Sequence, residues 1–273
     1  MAVVVDEQIS IHLKGQTIRL NFALSGQGDF TKNWILIHGM GSSRLAYRPM
    51  MERWPFPGRV YAVDLPGFGA SGHLKQPHSL DDYVAAVGAL IGGRSIDRPV
   101  ILGHSFGGLV AAEVIAQLPH LVKGGVLVSS AGFFPPQNAM APTRHVWLNR
   151  IGIWATGFEY FGLRMVRALG LDPAVLTRND RRRLQYGWRH AIEMARMPEF
   201  YDDPRLLEKV VAAKRPIVLI HGERDPLFPL SELRRVIGPT FPIWVMPGAG
   251  HLPYDTDLDQ FLNILRQAVQ SWF

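Results

Sequence analysis

Ser105, Asp225 and His251 are the residues of this chain whose types and order could carry nucleophilic chemistry. Ser105 lies in Gly103-His104-Ser105-Phe106-Gly107, a G-x-S-x-G pattern. A serine hydroxyl is a poor nucleophile near neutral pH. It needs a base to take its proton and an acid to orient and charge-stabilise that base. The candidates follow in the order serine, acid, histidine. Asp225 sits in His221-Gly222-Glu223-Arg224-Asp225-Pro226, just past the apolar run Ile217-Val218-Leu219-Ile220. His251 sits in Pro247-Gly248-Ala249-Gly250-His251-Leu252-Pro253, after a further strand-like run. Asp225 would accept a hydrogen bond from one ring nitrogen of His251, and the other nitrogen would face Ser105. Glu223 and Asp255 are rival acids, and an aspartate before Pro226 also suits an ordinary turn.

Attack on a carbonyl develops negative charge on its oxygen, so donors must stand ready for it. His38-Gly39-Met40-Gly41-Ser42-Ser43 follows an apolar segment and can turn backbone amides inward. The expected oxyanion donors are the amides of Met40 and Phe106, with both side chains lining an acyl cleft. His38 and Gly39 are expected to shape the substrate site. His104 and His221 also stand at strand ends, where a packed structural histidine is the simpler reading.

These groups must be positioned by a scaffold. Arg98 to Leu102 is a short apolar segment before the serine, and Gly108 to Ala116 carries apolar residues at helical spacing after it. Ser105 therefore sits on a sharp strand-to-helix turn, which a nucleophile elbow requires. Gln8–Lys14 and Gln16–Leu24 predict a hairpin around Gly15. Further strands are expected over Asn33–His38, Arg59–Asp64, Gly124–Ser129, Pro216–His221 and Pro242–Met246. Helices are expected over Arg44–Trp54, from the Ser79 cap to about Ile91, and over Leu258–Trp272. Ser79 with Asp82 resembles a capping box. Strands alternating with helices predict an α/β fold, a mostly parallel sheet with helices on both faces. Residues 133–207 break the alternation with helical patterning only. They are expected to form a helical lid between the two parts of a core, 1–132 and 208–273. Trp147 and Trp154 are its candidate pocket residues.

The matched segments, taken together, resemble the α/β-hydrolase fold superfamily. They are His38-Gly39-Met40-Gly41, Asp64-Leu65-Pro66-Gly67-Phe68-Gly69-Ala70-Ser71-Gly72, the elbow, His221-Gly222-Glu223-Arg224-Asp225 and Gly248-Ala249-Gly250-His251. They occur in family order over nearly the whole chain. The resemblance implies a helical cap domain for 133–207 and a structural role for the Asp64–Gly72 turn. A serine nucleophile argues against the dehalogenase and epoxide-hydrolase members, which use aspartate. The segment after His38 lacks the Gly-Gly-Pro-Gly of proline iminopeptidases and the Gly-Pro-Gly usual in C–C hydrolases. The resemblance thus favours a carboxylesterase-like serine hydrolase. C–C, thioester or amide cleavage by the same residues is the alternative, and a ligand receptor or scaffold on the same fold is the rival of another class.

Composition bounds these readings. With 273 residues and 47% hydrophobic content, the chain suits one large α/β domain or one domain with an insertion. It has no cysteine, which excludes disulfides, thiolate metal sites and a thiol nucleophile, and suits a reducing cytoplasm. The net charge of +6 is rich in arginine between Arg144 and Arg196, expected on a solvated helix face. No nucleic-acid signature accompanies it. No signal peptide or membrane span is read. The expected partner is a small-molecule ester, with no cofactor, no metal, no nucleic acid and no stable membrane association.

Overall fold

The structure, a computed structural model, describes residues 2–27, 32–135 and 203–272. The first two strands, β1 (Val5–Leu13) and β2 (Gln16–Gln27), pair antiparallel around Lys14-Gly15. The rest of the sheet is β3 (Trp34–Ile37), β4 (Gly58–Val63), β5 (Val100–His104), β6 (Gly124–Val128), β7 (Ile217–Gly222) and β8 (Ile243–Met246). Its order is β1-β2-β4-β3-β5-β6-β7-β8. β2 meets β4 antiparallel, and every later pairing is parallel. β3, β5, β6 and β7 are buried along their whole length, as strands covered on both faces must be.

Side-chain alternation sends these strands into two apolar layers. Ile35, Ile37, Tyr61, Val63, Ile101, Leu127 and Leu219 face one side. There they meet α2 (Leu80–Gly93), α3 (Phe106–Gln117), α4 (Leu206–Ala212) and α5 (Leu230–Ile237). Trp34, Leu36, Val60, Ala62, Leu102, Val126, Val128, Val218 and Ile220 face the other, against α1 (Arg48–Glu52) and α7 (Leu258–Ala268). Between β8 and α7 lies a single turn, α6 (Pro253–Thr256). The fold is therefore the α/β-hydrolase architecture that the residue pattern implied. Among the described residues, no helix is long and apolar enough to cross a membrane.

Local chemistry explains the boundaries. Ser79 N–H donates to Asp82 Oδ2 at 2.7 Å, closing the capping box of α2. Lys14 Nζ reaches the same oxygen at 2.6 Å, so the hairpin turn is tied to that helix end. Two expected helices are interrupted. The 44–54 segment starts as a 3-10 turn, Arg44–Tyr47, and Pro49 then opens the short α1. α7 ends at Ala268, with a separate 3-10 turn over Gln270–Trp272.

The Asp64–Gly72 segment is a braced turn. Buried Asp64 accepts from the Arg44 backbone N–H at 2.6 Å and from Ala70 N–H at 2.8 Å, and it pairs with the Arg44 guanidinium. At the same edge of the sheet, beyond β5, the chain leaves β6 through Gly132 and is next described at Asp203. Asp203 N–H donates to Gly132 O at 3.1 Å, so exit and return are neighbours. Most of the expected lid, with Trp147 and Trp154, lies outside the described residues.

Candidate active site

Parallel strands deliver their following loops to one edge of a sheet, and Ser105, Asp225, His251 and the turn after β3 collect there. Ser105 bridges the end of β5 and the start of α3. Its backbone is at φ 54°, ψ −119°, a strained conformation for a residue with a Cβ. Main-chain hydrogen bonds impose it: Ser105 N–H donates to Val128 O at 2.9 Å, and Ser105 O accepts from Gly108 and Ala131 N–H groups at 2.9 and 3.0 Å. Two glycines make the turn possible. A Cβ on Gly103 would lie 2.1 Å from Gly107 O, and one on Gly107 would lie 2.2 Å from Ile37 O. Strand, helix and β3 thus meet too closely for any side chain.

The turn lifts Ser105 Oγ to 2.9 Å from His251 Nε2. His251 Nδ1 lies 2.9 Å from Asp225 Oδ2. The carboxylate can only accept, so Nδ1 carries the proton and Nε2 is left to accept from the serine hydroxyl. Asp225 Oδ1 takes N–H groups from Leu227 and Phe228, at 2.8 and 3.1 Å. Burial alone would raise the Asp225 carboxyl. The charge and hydrogen bond of His251, with His221 and the Phe228 N–H, outweigh it and hold the carboxyl below its ordinary range. The rival acid Glu223 is engaged elsewhere, accepting from Gly248 N–H at 2.8 Å. That bond and Arg224 N–H to Ala249 O at 2.8 Å stitch the acid loop to the histidine loop.

The turn after β3 runs directly against the serine. A Cβ on Gly39 would meet Ser105 Cβ at 3.3 Å and His104 Nδ1 at 2.9 Å. Met40 is the next residue, and Phe106 opens α3, so the two expected amide donors belong to segments flanking Ser105. The Phe106 ring is buried beside Phe68 and Tyr83, with ring centroids 6.5 and 5.4 Å away. His38 serves the turn itself. Its ring is wholly buried, Nδ1–H donates to Gly39 O at 2.8 Å, and Nε2 accepts from Leu65 N–H at 3.1 Å. With both nitrogens taken by backbone, it holds the turn and presents no polar atom to a substrate.

Sequence reasoning gave His104 and His221 only structural standing, yet both touch the site. His104 Nε2–H donates to the His251 carbonyl at 2.8 Å. His221 borders Asp225. A histidine at a strand end is the available signal, and it is weak. Phe228 and Phe134 pack edge to face at 5.8 Å, and the Phe228 ring lies 5.7 Å from that of His251. Among the described residues, no three His, Cys, Asp or Glu side chains are grouped to hold a metal ion.

Three buried histidines give the fold an acid limit. Burial pushes His104 down to about 3, with neighbouring His251 adding to the effect. Burial lowers His38 and His221 as well. Each binds its proton less readily when folded than in the unfolded chain, which takes up these protons below about 6.5. The unfolded state then binds more protons, so stability is full above that value and falls as pH drops below it. Each histidine contributes a slope of at most about 1.4 kcal/mol per pH unit. Urea unfolding should therefore show a falling midpoint from pH 7 to pH 5. A flat profile over that range would contradict neutral burial.

The alpha/beta hydrolase family model matches residues 34–264. A dihydrolipoyllysine-residue acetyltransferase component of an acetoin cleaving system, from Pseudomonas putida, is 28% identical over 250 residues. That alignment covers 85% of this chain and 61% of the relative, so the chain spans less than two thirds of that protein's length. A pimeloyl-(acyl-carrier protein) methyl ester esterase from Neisseria meningitidis is 29% identical over 261 residues, 89% of this chain and 78% of the relative. Among solved structures, a thermophilic esterase from Thermogutta terrifontis shares the fold at a TM-score of 0.80 and 20% identity, covering 97% of this chain and 99% of that one.

Proposed function

Because the chain belongs to the alpha/beta hydrolase family, we propose that it is a serine hydrolase that cleaves carboxylic esters through an acyl-enzyme. One observation carries this reading: Ser105 Oγ stands 2.9 Å from His251 Nε2 while His251 Nδ1 stands 2.9 Å from Asp225 Oδ2. Ser105 Oγ attacks the acyl carbon as His251 Nε2 takes its proton. Asp225 Oδ2 holds the Nδ1–H and balances the charge of the imidazolium. The amides of Met40 and Phe106 stabilise the oxyanion. His251 then hands its proton to the leaving alcohol. Water attacks the acyl-enzyme with His251 again as base, and the acid product leaves. This cycle consumes only ester and water and calls for no cofactor. The ester reading is supported by one relative that is by name a methyl ester esterase.

Rates on a panel of ester, thioester, amide and C–C substrates of matched acyl group test the bond assignment. Preference for any of the last three would overturn it. A serine-directed phosphonate should label Ser105, and failure to label would favour a receptor or scaffold.

Residues 133–207 are proposed to form the lid whose apolar side shapes the acyl pocket, since small-molecule pockets favour domain junctions. Trp147→Ala or Trp154→Ala should then shift kcat/KM across a short-to-long acyl series, by about tenfold at one end, while sparing a small acetate ester. Uniform loss across the series, tracking a lowered Tm, would leave these aromatics a packing role only.

A further inference from the structure

His221 takes no step in the hydrolysis just described, yet it is a polar side chain held in the interior beside the acid. It stands at the end of β7 and is 1% exposed. Its Nε2 lies 2.7 Å from the Phe228 carbonyl oxygen, which can only accept, so Nε2 carries the hydrogen. Nδ1 is then a bare acceptor, buried and without a hydrogen-bond partner. Leaving a buried acceptor unmet costs about 1–3 kcal/mol. An apolar side chain of similar size would fill the place without that cost. What distinguishes histidine here is therefore its Nε2–H.

That N–H acts on one residue, Phe228, which is held by both of its backbone groups. Its carbonyl accepts from His221, and its N–H donates to Asp225 Oδ1. With Oδ1 also accepting from Leu227, the carboxylate is left with Oδ2 turned to His251 at 2.9 Å. His221 Nε2 itself stands 3.7 Å from that Oδ2, too far for a hydrogen bond. Its influence on the acid therefore passes through the backbone of residue 228. The anchor is stiff, because β7 is an interior strand paired with both β6 and β8.

We propose that His221 is a positioning residue, whose Nε2–H pins the Phe228 carbonyl and so sets the Asp225 carboxylate in register with His251. The inference rests on the Asp225–His251 pair acting in the reaction proposed above. Burial keeps His221 neutral against the pull of Asp225, with His251 pushing the same way as burial. Its donor role rests on the Nε2–H held to the Phe228 carbonyl.

The test compares His221→Leu, which removes the donor, with His221→Gln, whose side-chain amide can return an N–H to the Phe228 carbonyl. Three quantities are read: kcat and KM on a short acetate ester, Tm, and the proton NMR resonance of His251 Nδ1–H. His221→Leu should lower kcat about 10- to 100-fold with KM nearly unchanged, and should weaken the His251 resonance. His221→Gln should recover most of both. Equal kcat in the two folded variants, or an undisturbed His251 resonance in the leucine variant, would overturn the proposal. Should the leucine variant fail to fold, nitrogen-15 NMR of the native protein still decides: His221 must be the neutral Nε2–H tautomer, and the Nδ1–H tautomer would overturn it. The NMR readings need no turnover. A native protein that shows them yet hydrolyses no ester would uphold this inference and sink the proposed function.

Discussion

Ser105→Ala should abolish ester hydrolysis, with kcat falling by about a millionfold while the protein stays folded. The change removes one atom, Oγ, and keeps the Cβ that the strained backbone already accommodates at φ 54°. The bonds that impose the turn are all main-chain. They run from Ser105 N–H to Val128 O and from Gly108 and Ala131 N–H groups to Ser105 O, and alanine makes each of them equally. Tm should therefore change little, and the acyl-enzyme step should vanish. Turnover of a short activated ester, measured beside Tm and phosphonate labelling, checks this. A folded alanine variant with near-native turnover would remove Ser105 from the reaction.

His251→Ala should cost nearly as much, because serine and histidine act as one unit. Among the described residues, His251 Nε2 at 2.9 Å is the base bonded to Ser105 Oγ, and its loss leaves the serine proton without that acceptor. Asp225→Asn should cost somewhat less, on the order of ten-thousandfold in kcat. An amide that turns its NH2 toward His251 favours the wrong tautomer but leaves the imidazole present. Glu223→Gln is the control, since the Glu223 carboxylate meets Gly248 N–H and not the imidazole. Its kcat should stay within a few-fold of native. Damage from Glu223→Gln together with a harmless Asp225→Asn would transfer the acid role.

The legible parts of the site share one physical reason. In a parallel sheet every strand end points to the same edge, so a serine after one strand, an aspartate after another and a histidine after the last must converge. Chain order and apolar runs were therefore enough to bring Ser105, Asp225 and His251 together. What stayed hidden depends on which way a side chain turns once it arrives. His38 and His221 both end buried strands and are alike in sequence, yet one secures the turn after β3 and the other reaches across to Phe228. Phe106 follows the nucleophile, and its ring turns to Phe68 and Tyr83. The helix Leu230–Ile237 was equally hard to foresee, because Pro226 and Pro229 mask its start and it is only two turns long. Pro49 broke an expected helix for the opposite reason, being tolerated in the first turn of a new one.

The hydrogen bond between Asp203 N–H and Gly132 O has a consequence for how this protein could be rebuilt. The chain departs and re-enters the core at one doorway, and the strands on either side, β6 and β7, pair directly with each other. The sheet is thus complete without anything contributed from between them. Closing a loop whose ends already touch depends only weakly on its length. Residues 136–202 could then be exchanged as a cassette, for a short linker or for a counterpart from another family member, with the strand register untouched. If that segment is the proposed lid, grafting of that kind would leave the reacting atoms in place and change what is admitted to them.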